Sequence, residues 1–235
     1  MVVITATTFH EPHYITAPGS VYVHCHFRKG VWFRFSGYGS SIVKSTIDNI
    51  GGTYAVRAEP GSDGTILRSI FRGSDAAGVL VSGGLRVVEC DFTGRWNDNV
   101  IQAEGWGNGS IERCVTDIDD DGVGNAIVNA RHASHGESPG MFHLDGCTIS
   151  GRRCVIVGSA AANVILTANR VIATPSPSGQ QFFAYQSWSP GSALPAHHAG
   201  NRFTGDVVID GHVYGGVTTE PPIPRVGRAI YGAVE

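Results

Sequence analysis

The sequence predicts an all-β solenoid, a chain of short strands wound into repeated coils. Three observations predict it. Two ladders of apolar residues recur in step along most of the chain. Glycine and polar residues gather between the strand-like runs. No window sustains the 3.6-residue apolar period of an amphipathic helix.

The unit is clearest from Leu85 to Cys114, LRVVECDFTGRWNDNVIQAEGWGNGSIERC. It holds two short runs, Val87–Phe92 and Val100–Glu104, and Ile111 to Cys114 begins the first run again. Positions two apart on a strand share a face, so each run offers one inward stripe.

The first run has the form apolar-x-x-(Cys/Ser/Asn)-x-apolar. It fits Tyr22-Cys25-Phe27, Ile42-Ser45-Ile47, Ile66-Ser69-Phe71, Val87-Cys90-Phe92, Leu144-Cys147-Ile149 and Leu166-Asn169-Val171. Ile111-Cys114-Thr116 fits with a polar last member. Asn201-Arg202-Phe203 echoes it without the leading apolar residue. The second run aligns independently, with leading inward residues Phe33, Val56, Val79, Ile101, Val128, Ile156, Phe183 and Val207. Two residues on come Phe35, Ala58, Val81, Ala103, Ala130, Gly158, Tyr185 and Ile209. The period is roughly 20–33 residues and gives about eight copies, which suits a solenoid. A β-sandwich also has short, regularly spaced strands. It does not usually place the same small residue at the same phase in each.

The remaining segments follow from this frame. Residues 1–20 precede the first clean coil, and VVITATTF reads as a strand capping the open end. His10-Glu11-Pro12-His13 reads as a surface turn rather than a metal site. Residues 21–210 are the β-helical domain. The coil from Cys114 to Cys147 is longest, with extra residues at Asp117–Gly124 and Arg131–Gly140, and such insertions map to one side, often the binding side. Residues 173–200 read as loops around one strand, QQFFAYQ. Residues 211–235 leave the repeat as an extended tail, because Pro221, Pro222 and Pro224 cannot sit inside a sheet. Ile230 and Tyr231 beyond them suit docking on the chain's own coils or on a neighbour.

The repeated VxxCxF and NVIQAE runs resemble coils of the right-handed parallel β-helix proteins, the pectate-lyase-like superfamily, from roughly Val21 to Ile209. The resemblance implies a single-stranded right-handed parallel β-helix. It does not imply one activity, since that fold hosts lyases, hydrolases, viral tailspikes and adhesins.

Composition narrows the partners. The chain has 235 residues, 42% hydrophobic and 16% charged, with 32 glycines and a net charge of −3. No basic patch suggests nucleic acid, and no apolar run reaches transmembrane length. Met1 to Thr5 lacks the charged start and apolar core of a secretory signal. Of the five cysteines, Cys25, Cys90, Cys114 and Cys147 fall on the first inward ladder and Cys154 on the second. That placement predicts reduced thiols packed as small apolar groups, without a disulfide framework or a zinc site.

Two constellations could carry chemistry. Acidic residues recur between the ladders at Asp48, Asp75, Asp98 and Asp119–Asp121. If the chain is an enzyme, Asp98, Asp120 and Asp121 are the expected catalytic carboxylates, acting as acid and base on a glycosidic bond. The same oxygens could hold Ca²⁺; no other cofactor is expected. Polygalacturonase-like members of the superfamily place paired aspartates on their coils, but WNDN and DDDG are only fragments of that pattern, and no matching His or Arg-x-Lys motif follows. Asp and Gly are also simply good turn formers. A second line lies outside the second ladder: Arg57, Glu59, Gln102, Glu104, Asn129 and Arg131, continuing into Trp106, His132, His135 and Glu137. Glu104, Trp106, Arg131 and His132 are the expected sugar-binding residues, since aromatic faces stack on pyranose rings. A solvated outer face with Arg–Glu pairs gives the same pattern. Trp32 stands at an outward phase, where it meets the N-terminal cap or a partner.

Two function classes follow. One is a non-enzymatic phage virion-surface protein, a minor tail or spike component or a capsid decoration. It would be a homotrimer contacting other virion proteins and cell-surface polysaccharide, with no membrane insertion. The other is a polysaccharide lyase or glycoside hydrolase, extracellular if secreted. The missing export signal and apolar tail favour the first, because phage structural proteins leave by lysis.

Overall fold

The computed structural model describes residues 1–59, 61–81, 83–103, 108–118, 126–130, 141–157, 164–174, 183–187, 197–209 and 212–217. Across these the chain is a parallel β-helix with three strands per coil, one on each of three faces. The first face is a 9-stranded parallel sheet running from Val3–Thr5 through Ser40–Val43 and Gly84–Val88 to His197–Ala199. The second and third faces join into an 18-stranded sheet. They join because the last long strand, Arg202–Ile209, pairs with Arg170–Ala173 on one face and Phe183–Ser187 on the other. The described residues contain no α-helix; one 3-10 turn spans Phe35–Gly37.

The first ladder is the inner wall of two faces. On the first face Ile4, Tyr22, Ile42, Ile66, Val87, Ile111, Leu144, Leu166 and His198 lie in one row. On the second, Phe9, Phe27, Ile47, Phe71, Phe92, Thr116, Ile149, Val171 and Phe203 do the same. Phe71 and Phe92 stack at 4.4 Å with an interplanar angle of 2°. Each fully buried side chain of this size contributes about 1.5–3 kcal/mol. The last repeat, which lacks a leading apolar residue, fills that place with buried His198, whose Nε2 lies 3.3 Å from the Tyr185 hydroxyl.

The corner between these faces has one recurrent conformation. Every non-glycine residue with positive φ among the described residues stands there: Ala6, His24, Lys44, Arg68, Glu89, Arg113 and Ala168. Gly146 and Gly200 take the same place in two other coils. A left-handed L-residue costs about 1–2 kcal/mol. The cost is offset because each such amide still bonds the next coil, as from Lys44 to the Leu67 carbonyl at 2.9 Å and from Glu89 to that of Glu112 at 2.9 Å. The sharp turn points the next residue inward, which is why that position repeats as Cys, Ser or Asn.

The third face corrects part of the sequence alignment. Its leading inward row is Val31, Val56, Val79, Ile101, Val128, Val155, Tyr185 and Val207. Phe33 pairs two residues further on, with Ala58. Phe35 is 65% exposed, in the 3-10 turn. Ile156 and Phe183 pack outside the coil with Ala126 and Val208. The cause is the corner before this face, where two consecutive residues turn inward: Ala55-Val56, Val100-Ile101, Ile127-Val128, Cys154-Val155 and Ala184-Tyr185 are all core. Strict alternation is reset there, so counting in twos through the corner lands on the wrong face.

The two ends differ from simple caps. Residues 3–15 form a coil of the standard three-strand kind, with Val3 opposite Val21, Thr8 opposite His26 and His13 opposite Val31. His13 therefore opens a strand rather than sitting in a surface loop. It packs on Phe9 at 4.0 Å, and its Nε2 lies 2.9 Å from the Tyr22 hydroxyl. At the other end His212–Val217 pairs antiparallel with Arg202–Ile209, leaving the parallel repeat. Pro221, Pro222, Pro224, Ile230 and Tyr231 lie outside the described residues.

Candidate functional site

The acidic turns fall at the corner between the second and third faces, but not in one row. Asn49 stands opposite Ser74, and Ser74 opposite Trp96. Asp75 therefore aligns with Ile50 and Asn97, Asp48 comes two places earlier, and Asp98 one place later. Each has a local structural contact. An Asp48 oxygen lies 2.7 Å from His26 Nε2. Asp75 Oδ2 accepts from the Gly51 amide at 2.9 Å, and Asp98 Oδ1 accepts from the Asn99 side chain at 3.1 Å. Asn99 in turn accepts from the Ala126 amide and the Asn129 side chain, tying this corner to the next coil. Asp120 and Asp121, the expected partners of Asp98, lie outside the described residues. So do Glu104, Trp106, Arg131 and His132.

The sequence reading passed over the residues that make this corner concave. The second-face strand lengthens in successive coils. Two steps separate Ile47 from Asn49, three separate Phe71 from Ser74, and four separate Phe92 from Trp96, while their ends remain paired. Each extra residue is a β-bulge, and bulges re-aim side chains. Gly73 and Gly94 make them possible. Their φ values are +128° and +81°, and a Cβ would lie 2.6 Å from the Arg95 carbonyl oxygen and 2.1 Å from that of Arg72. The widened wall encloses a cleft of about 260 Å³ lined by Asp48, Asn49, Ile50, Arg72, Gly73, Ser74, Asp75 and Arg95. A signal was present in the sequence: Phe-Arg-Gly and Phe-Thr-Gly place a glycine two residues after the ladder phenylalanine in adjacent coils.

The outer face of the third sheet carries a second surface. Tyr14, Trp32, Arg57, Leu80, Gln102, Asn129, Ile156 and Gln186 lie in one row. Trp32 meets Tyr14 edge-on at 5.4 Å, so its outward position is covered by the first coil. The Arg57 guanidinium lies 5.0 Å from the Trp32 ring and 5.7 Å from that of Tyr54. Arg34 lies over Tyr14 and pairs with Glu59 at 2.9 Å. Beyond Arg57 the row mixes apolar Leu80 and Ile156 with polar Gln102, Asn129 and Gln186, and Asn129 is buried.

The thiols are placed for packing. Cys25, Cys90, Cys114, Cys147 and Cys154 are all buried and unbridged. Contact with the Cys114 sulfur, together with burial, pushes the Cys90 and Cys147 thiols up, away from the reactive thiolate. The same contacts with Cys147 and Cys90 pull Cys114 down against its burial, and its Sγ lies within hydrogen-bond reach of the Val87 and Glu112 carbonyls. Among the described residues no group of His, Cys, Asp and Glu is placed to hold a metal ion, and no helix is long and apolar enough to cross a membrane.

No family model matches this chain, and no curated protein matches it. Among solved structures, the plasmid-mediated fluoroquinolone resistance protein QnrB1 aligns at 12% identity and a TM-score of 0.22, over 79% of this chain and 89% of that one. A hyper-glycosylated TibA fragment aligns at 12% identity and a TM-score of 0.23, over 99% of this chain and 100% of that one. Both scores lie below the level at which a shared activity follows.

Proposed function

We propose that this chain is a non-enzymatic phage virion-surface protein of the pectate-lyase-like β-helix type. In this reading it is a tail, spike or capsid-decoration component that assembles as a homotrimer and contacts host glycans and other virion proteins. The observation that carries the reading is the use of the corner carboxylates. Asp48 contacts His26, Asp75 holds the Gly51 amide, and Asp98 is bonded by Asn99, each in a different row. A glycosidase needs two carboxyl groups facing one bond across a fixed gap. Carboxylates that brace turns are what a scaffold requires instead. The aromatic and arginine row from Tyr14 to Arg57 gives that scaffold a surface suited to sugar rings and acidic groups.

Light scattering on the purified chain tests the assembly, with a mass three times that of the monomer expected. Incubation with bacterial surface polysaccharides tests the chemistry. Retention of the polysaccharide without new chain ends supports the proposal. A monomer that releases sugar would replace it with the lyase or hydrolase alternative.

A further inference from the structure

We infer that the cleft at the bulged corner is a binding site for a small oxyanion whose carrier also offers a hydrogen-bond donor. Arg72 and Arg95 line it from adjacent coils, and both are exposed. Among the described residues neither is paired with a carboxylate, although Arg34, Arg68, Arg86 and Arg113 all are. Two guanidiniums without a carboxylate partner line one cleft from neighbouring coils, and a guanidinium fork matches the oxygens of a carboxylate or phosphate.

The other wall is acceptor-rich. Asp48 keeps one oxygen on His26, while its second oxygen, Oδ1, is buried without a partner. A buried carboxylate oxygen left unpaired is costly, and it leaves a negative edge beside the cleft that favours a ligand bearing a hydroxyl or ammonium. Asp75, exposed beside buried Ser74, accepts from the Gly51 amide through Oδ2 and lines the same cleft. A cleft lined by both guanidiniums and carboxylates thus selects a ligand with an anionic end and a donor a few atoms away. The bulges that open the cleft depend on Gly73 and Gly94, where a Cβ would strike backbone. The conformation is therefore specified by the sequence at this place and not by general turn chemistry.

The test uses sn-glycerol 3-phosphate and D-glycerate, which carry a diol donor with a phosphate or a carboxylate. Each is titrated into the full chain by calorimetry at constant ionic strength. Saturable binding with Kd on the order of 1 mM is expected for at least one, and the one that binds identifies the oxyanion. The Arg72→Gln/Arg95→Gln double variant should weaken it by about tenfold or more, because both forks are lost. Both side chains are exposed, so the fold should tolerate the change, and an unchanged melting temperature checks this. Arg68→Gln, a paired exposed arginine at another corner, should leave binding intact. Absence of saturable binding for both ligands, or binding that survives the double variant, overturns the proposal.

Discussion

The amide of Cys90 donates to the sulfur of Cys114 in the next coil, 3.4 Å away. The same bond runs from coil to coil between Cys25 and Asn201. Cys25 donates to Ser45 Oγ, Ser45 to Ser69 Oγ, Ser69 to Cys90, Cys114 to Cys147, Cys147 to Asn169 and Asn169 to Asn201. The serine and cysteine groups return their proton to a carbonyl two residues back, as Ser45 does to Val43 and Cys147 to Asp145. The ladder position therefore needs a small side chain that both accepts and donates. It joins coils through groups that a purely apolar core would leave unsatisfied.

Substitutions at Cys114 separate hydrogen bonding from packing. Cys114→Ser should change stability by less than about 1 kcal/mol, since Ser45 and Ser69 already fill equivalent places. Cys114→Ala loses only the sulfur but strands the buried Cys90 amide, at a cost of about 1–3 kcal/mol beyond that of the small cavity it leaves. Denaturant unfolding of the two variants gives the comparison. Thiol labelling of the native chain should be slow, and fast only after unfolding.

The glycines at the bulge should be far less replaceable than those at open turns. Gly94→Ala adds a Cβ 2.1 Å from the Arg72 carbonyl oxygen at a φ of +81° and should cost about 2–4 kcal/mol. Gly39→Ala, at +65° with nothing within 4 Å, should cost about 1 kcal/mol from conformation alone. Equal losses in thermal unfolding would mean that the bulge is not held by close backbone approach.

The first coil should weaken in mild acid. Burial lowers the pKa of His13 from its ordinary value of 6.5, so the folded state favours the neutral ring. Below 6.5 the unfolded chain binds the proton first. The contribution is therefore complete above that pH and is lost as pH falls toward the lowered folded value. Melting temperature should drop across that window in the native chain, and His13→Gln should flatten the drop. A rise in stability on acidification would contradict the burial of His13.

Much of the architecture was legible because one corner repeats a single conformation. With a left-handed residue always placed before the Cys/Ser/Asn position, Tyr22, Cys25 and Phe27 keep the same spacing as Leu144, Cys147 and Ile149. The third face was less legible. The corner before it turns two neighbours inward, as at Cys154-Val155, so Ile156 and Phe183 look like core by counting and lie outside. The N-terminal coil was hidden because its apolar pattern is sparse, with Thr7 at the ladder position and its hydroxyl bonded to the Thr5 carbonyl at 3.0 Å. Of the expected site residues, Asp98 could be placed, and it braces Asn99. The arginines of the cleft escaped notice because a bulge changes which residues face a surface without changing composition.

We propose that this β-helix binds at its surface without turning a substrate over. The most direct measurement is the size distribution of bacterial surface polysaccharides before and after incubation with the full chain, together with the absorbance of unsaturated sugar ends. The account predicts polysaccharide that is retained by the protein with its chain length unchanged and no new unsaturated or reducing ends. Shortened chains that disappear with Asp98→Asn, while the variant melts like the native protein, would contradict it.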